Sequence, residues 1–268
     1  MLRDKGQTAK YSGAADPGDK GPSAMVLLVQ YTKLCSFMST AQSVLSTEQS
    51  LFPLVKHLYL ETPVEIDTGL LSHCTSLQDI AVVGLGSDNW EGPPPTGYND
   101  NTFWSGDIYP SHVTVFDAEC GIVQIYGLPT PSILTKCTHL ALEFVWIDFP
   151  TFSSLIERLP SVTHLGIYST SLQFAEVDKL GEFCKKHASL RMIVVAASLG
   201  RWGSDAPDVE LPKDKPSKYE AIDNRVAFIK LVNHFKKGTS RACWEANARG
   251  RRGIWYHGRA RLEQLGRI

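Results

Sequence analysis

The sequence predicts an α/β fold: a solenoid whose parallel sheet runs in sequential strand order, with helices on its outer face. Three observations predict it. One apolar template recurs five times along 268 residues, consecutive copies lie 22, 25 or 28 residues apart save for one gap of 60, and helical phrases precede three of them. The template is clearest in CTHLALE, residues 137–143, and VTHLGIY, residues 162–168. Centred on Leu140 it reads Cys137, Leu140, Leu142; on Leu165 it reads Val162, Leu165, Ile167. It fits again as Val55, Leu58, Leu60, as Leu77, Ile80, Val82, and as Leu190, Ile193, Val195. Alternate residues of a strand face one side, so each copy turns its apolar members into one core.

Taken in chain order, residues 1–24 hold almost no apolar surface to offset ordering entropy and are expected to be a disordered segment. MVLLVQYTKLCSFM, residues 25–38, is read as a buried helix: at 14 residues it falls short of the ~20 needed to span a bilayer. The α/β domain is assigned to 25–235. The 60-residue gap between Ile80 and Leu140 needs one more unit, assigned to Val113, Phe116 and Ala118 with Phe116 as its centre, after an irregular insertion at 84–110. LLSHCTS, LIERLPS and EFCKKHAS carry apolar residues about a turn apart and suit helices of two or three turns. Alternating strands and helices imply right-handed crossovers and a parallel sheet. Residues 205–220 read as a polar loop and 236–268 as a basic C-terminal helix or tail.

L-x-x-L-x-L is the leucine-rich-repeat pattern, here degenerate: five residues after the centres stand Pro63, Leu85, Val145, Thr170 and Ser198, not the usual Asn or Cys. CTSLQDIAV, CTHLALEF and LPSVTHLGI, with the tail phrase NHFKKGTSRACWEANA at 233–248, resemble the leucine-rich-repeat-like domain of F-box-type proteins of fungi, the mushroom-forming basidiomycetes above all. The resemblance covers roughly residues 50–250. It implies a ubiquitin-ligase substrate receptor: an F-box docks the ligase adaptor and the repeats recruit a target. Residues 1–50 contain no F-box opening, so the adaptor partner does not carry over.

Catalytic signatures are missing from the sequence. Gly84 and Gly86 follow a strand as a dinucleotide loop would, but Pro93, Pro94 and Pro95 stand where its helix must begin. No nucleophile, metal-ligand or phosphate-loop motif occurs, so no cofactor, no catalytic residue and no metal site is assigned. Cys184 and His187 lie close together on one predicted helix and are expected to divide between core and surface. A net charge of −1 gives no overall pull on nucleic acid or membrane. The six cysteines form no CxxC, which fits free thiols and an intracellular place, cytoplasmic or nuclear.

The expected function is a non-catalytic protein-interaction module. Residues beside the strand centres alternate away from the core, so His57, Tyr59, Glu61, Asp79, His139, Glu143, His164 and Tyr168 form the expected partner-binding row. His139 and His164 should lie ~5 Å apart on neighbouring strands, close enough to share a metal or sense pH, but exposed histidines on a recurring turn phrase are the stronger reading. Trp90, Tyr98, Phe103 and Trp104 in the 84–110 insertion suit either a binding lip or a cover over the core's end. Two alternatives compete. Residues 236–268 carry nine Lys or Arg against two acids, against 18 and 26 in the remainder, and their Arg, Gly and aromatics could grip nucleic acid. An enzyme on a doubly wound sheet would instead show a reversal in strand order.

Overall fold

The computed structural model describes residues 25–29, 52–60, 71–83, 107–116, 132–144, 149–169, 177–197, 216–231, 240–249 and 251–268. Eight parallel strands form one sheet in strictly sequential order. They are β1 (Met25–Val29), β2 (Val55–Leu60), β3 (Asp79–Val83), β4 (His112–Phe116), β5 (His139–Phe144), β6 (His164–Ser169), β7 (Met192–Ala197) and β8 (Val226–Lys230). Four helices are described: α1 (Phe149–Glu157), α2 (Val177–Lys186), α3 (Ser240–Ala248) and α4 (Ile254–Gln264). The class is α/β with a single all-parallel sheet.

The template centres stand in register across the sheet. Leu58 pairs with Ile80, Ile80 with Val113, Val113 with Leu140, Leu140 with Leu165, and Leu165 with Ile193. All are buried in one cluster. The entry into these strands repeats as well. The backbone N–H of Leu77, Cys137, Val162 and Leu190 each donates to the carbonyl three residues earlier. Each of these residues opens a copy of the template, so the apolar pattern and the turn are one unit.

Helices α1 and α2 cover this front face. In α1, Phe149, Phe152, Leu155 and Ile156 share a face, and Pro150 sits in the first turn, where its missing N–H costs nothing. In α2, Leu180, Phe183 and Cys184 recur at helical spacing. The two stack through Phe152 and Phe183, ring centroids 5.1 Å apart. Arg225, leading into β8, donates to the carbonyls of Cys184, His187 and Leu190 and ties the end of α2 to the last strand.

Four expectations change. The run at 25–38 does not begin as a helix: Met25–Val29 is a strand paired in parallel with β2. MVLLV reads as well for a parallel strand, whose apolar residues need not alternate, as for a buried helix. The β4 centre is Val113, because Phe116 pairs with Val83 and lies on the opposite face with Tyr59, Ala81 and Trp244. Helices are not confined to one side. The back face is covered too, by α3 and α4, which are integral to the structure and not a tail. The end of the 205–220 loop is also structured, with Ser217, Tyr219 and Glu220 buried. Residues 1–24 and the Gly84–Gly86 motif lie outside the described residues.

Small residues let α4 approach the sheet. Ala141, Gly166, Val194 and Ala227 form one row across β5–β8. Gly258 of α4 sits directly on it, since a Cβ there would meet Val194 Cγ2 at 2.4 Å. The helix ends at Gly266, φ 67°, where Gly266 N donates to Glu263 O and Arg267 N to Leu262 O. Gly258→Ala is therefore expected to destabilise the protein. Better helix propensity gains at most about 1 kcal/mol, whereas forcing a methyl into a closed contact costs about 1–3 kcal/mol. Urea unfolding should show a net loss; a gain would mean that α4 does not sit closely on β7.

Candidate functional site: the polar row beneath the C-terminal helices

The expected partner-binding row lies on the back face, as the alternation requires, yet it is not an open surface. Tyr59, Asp79 and Tyr168 are buried. The chain's own α3 and α4 occupy the row, because Cys243, Trp244 and Ala248 of α3 and Ile254 and Leu262 of α4 are apolar at helical spacing and need a sheet to cover. Trp244 Nε1 donates to Asp79 Oδ1 at 3.0 Å and Asn247 Nδ2 to Asp79 Oδ2 at 3.2 Å. Ser240 Oγ donates to Glu143 Oε1. The Trp244 ring packs 5.4 Å from that of Tyr59, whose other neighbours are Phe116 at 6.0 Å and the Arg241 guanidinium at 4.6 Å. Tyr168 is hydrogen-bonded to Cys243, and its burial pushes the phenol well above its ordinary range. His57 Nδ1 is buried without a hydrogen-bond partner, 3.6 Å from Asp79 Oδ2. Glu61 lies outside the described residues.

The histidines are closer than the strand spacing suggested, and there are three. The His139 and His164 rings stack with centroids 4.1 Å apart, and His112 stacks on His139 at 4.2 Å. Each follows a hydroxyl residue. The Nδ1 atoms of His112, His139 and His164 lie 2.9, 2.9 and 2.8 Å from the hydroxyls of Ser111, Thr138 and Thr163. Those hydroxyls donate in turn to Gln78 O, Ser111 O and Thr138 O on the preceding unit. A hydroxyl with its proton committed accepts from the ring, which fixes Nδ1 as the protonated nitrogen of neutral imidazole. Burial lowers all three histidines, and the flanking imidazoles help bring His139 down to about 3. His112 was not in the expected row; its signal is SH at 111–112, the counterpart of TH at 138–139 and 163–164.

Stacked rings send their nitrogens along parallel lines and do not converge them on one point. Among the described residues no group of three or more His, Cys, Asp or Glu could hold a metal ion. A fourth hydroxyl–imidazole pair also has the distance of a nucleophile and its base: Ser153 Oγ lies 2.7 Å from His187 Nε2. Both are buried between α1 and α2, and His187 also packs 4.5 Å from Phe183, so the pair acts as a tie between the helices. Cys184 and His187 thus do not divide between core and surface. Burial pushes the Cys74 thiol up to about 11 and those of Cys137, Cys184 and Cys243 to about 12, which keeps them un-ionised and poor nucleophiles.

The basic segment spends much of its charge internally. Arg261 reaches the fully buried Glu220 through Nε at 2.8 Å and Nη2 at 3.0 Å. Glu220 also accepts from Ser217 N and Phe228 N. Burial by itself raises the Glu220 carboxyl, but the guanidinium and the two backbone donors together outweigh it and hold the group below its ordinary value. Arg267 donates to the carbonyls of Asp223 and Val226. Arg241 and Arg259 pair with Glu245 and Glu263 one turn along their helices. Arg249, Arg251 and Arg252 stay exposed.

No family model, curated protein or solved structure matches the chain. Among the described residues no helix is long and apolar enough to cross a membrane.

Removing Arg261 leaves Glu220 as a buried charge without its main partner. Arg261→Met is expected to cost about 3–5 kcal/mol in urea unfolding. Arg259→Met, which removes an exposed pair on the same helix, should stay within about 0.5 kcal/mol. Equal effects would show that the Arg261–Glu220 pair is exposed to solvent.

Proposed function

We propose that the chain is a leucine-rich-repeat-like solenoid acting as a non-catalytic protein-interaction module, related to the target-recognition domains of ubiquitin-ligase substrate receptors. The observation that carries this reading is the sheet order. Eight strands follow one another without a reversal, and a reversal is where an open α/β sheet opens its ligand crevice. The same strand entry repeats at four units, as expected of stacked repeats that each contact only their neighbours. Four buried free cysteines support a reducing, intracellular setting.

Recognition then falls to what the sheet does not bury. Parallel, sequential strands send every following connection out from one rim. The long insertion that follows β3 in the sequence, with Trp90, Tyr98, Phe103 and Trp104, lies outside the described residues up to position 106 and is the proposed recognition element. The exposed Arg249, Arg251 and Arg252 leave nucleic acid as the second reading, reduced because Arg241, Arg259, Arg261 and Arg267 are engaged within the fold.

The test compares the full chain with a Trp90→Ser, Phe103→Ser, Trp104→Ser variant in affinity capture from cells, with purified ubiquitin-ligase adaptor assayed alongside. The reading expects a protein partner that the variant loses, at nearly unchanged thermal stability. A variant that keeps the partner would remove the insertion from the interface. Capture of nucleic acid alone, lost at raised salt, would replace the protein reading with the second one.

A further inference from the structure

We propose that the His112–His139–His164 stack is an acid-sensitive latch: protonating it releases the helix pair α3–α4 from the back face of the sheet. The inference stands on the geometry of the stack and is independent of the proposed function.

The rings cannot evade one another while the helices are docked. Strand pairing sets their spacing, with His112 beside His139 and His139 beside His164 in register. Each Nδ1 is held by a hydroxyl that is itself anchored to the preceding unit. Trp255 of α4 closes the remaining side. Its ring stands edge-to-face with His139 at 5.1 Å and with His164 at 6.2 Å. Both faces of His139 are taken by neighbouring imidazoles, so its edge meets the indole. With Nδ1 already protonated, an added proton goes to Nε2 and makes the ring a cation.

The charges around the stack are unevenly placed. At the β3 end His112 has Asp79, which favours its proton, and His57, which opposes it. At the β7 end His164 has Arg191, which opposes its proton. The contact from α4 is Trp255, which is neutral; α3 reaches Asp79 with Trp244 and Asn247, also neutral. No carboxylate from the helices faces His139 or His164 among the contacts described. A first proton is tolerated beside Asp79 or against the indole face. A second places two cations on rings 4.1–4.2 Å apart. Undocking Trp255 relieves this, because the rings can then rotate off the stack into water.

The sign follows from linkage. Docking holds these histidines below their ordinary 6.5, so its stabilisation is complete above that value and is lost as pH falls towards the docked value, about 3 for His139. Glu220 and Asp223 are also held below their ordinary values of 4.5 and 3.8, so their contribution fails only in more acid solution. Above about pH 4.5 these carboxylates stay ionised; the other histidine that burial lowers, His187, lies between α1 and α2 on the front face, so its titration acts on the opposite side of the sheet from α3 and α4. A histidine that is neutral when docked and free when undocked shifts the balance about 25-fold from pH 7 to pH 5.

The experiment is hydrogen–deuterium exchange on the full chain at about pH 7 and about pH 5, corrected for the intrinsic rates. The latch requires opening of α3 and α4 to rise at least about tenfold while β5, β6 and β7 keep their protection. His139→Asn, which cannot titrate, should cut that rise to a few-fold; His164→Asn serves if the first variant does not fold. Unchanged opening in the wild type overturns the latch. So does loss of protection in strands and helices together, or a full response in either Asn variant.

Discussion

A buried carboxyl group must find donors or it costs more than its packing returns, and Asp79 finds them in the last part of the chain. It opens β3 on the back of the sheet and is 2 % exposed. Trp244 and Asn247 supply its hydrogen bonds from α3. Leaving such a group unsatisfied costs about 1–3 kcal/mol, so the sheet and the C-terminal helices depend on each other. With α3 held there, Trp244 packs on Tyr59, Cys243 reaches Tyr168, and α4 is carried across β6–β8. The sheet becomes the middle of three layers.

The same back face explains how the sheet ends. The outer edge of a last strand leaves backbone groups that invite another chain. On β8 these are met from within: Glu220 accepts from Phe228 N, Arg267 donates to Val226 O, and Arg261 neutralises Glu220. Ser217 and Glu220 form a reciprocal capping box that holds the acid in place. The C-terminal segment therefore both covers the face and stops the edge.

The front face was legible because burial there selects one kind of residue at one spacing. The centres at Leu58, Ile80, Leu140, Leu165 and Ile193 and their strand order could be read directly from the chain. Phe116 was mistaken for a centre because Val113 and Phe116 are both apolar and a long insertion breaks the spacing before them. The back face was misread for a different reason. Asp79, His139 and Glu143 look like solvent-facing residues, but their hydrogen bonds come from residues 97 to 168 positions away or from a hydroxyl one residue before, and alternation records neither. Two signs of a covering layer were present: MIVVAA and VAFI do not alternate, and Ala141, Gly166 and Ala227 form a groove only when the strands are aligned. The arginines of the tail read as free charge because Glu220 is 41 positions from Arg261.

The central claim is that Asp79 and Trp244 hold the C-terminal helices on the sheet. A double-mutant cycle measures this directly, with Asp79→Leu, Trp244→Phe and both together compared in urea unfolding. A buried hydrogen bond between them predicts a coupling of about 1–3 kcal/mol. Additive effects, with a coupling within about 0.3 kcal/mol of zero, would mean that the two residues do not meet and that the back face of the sheet is open.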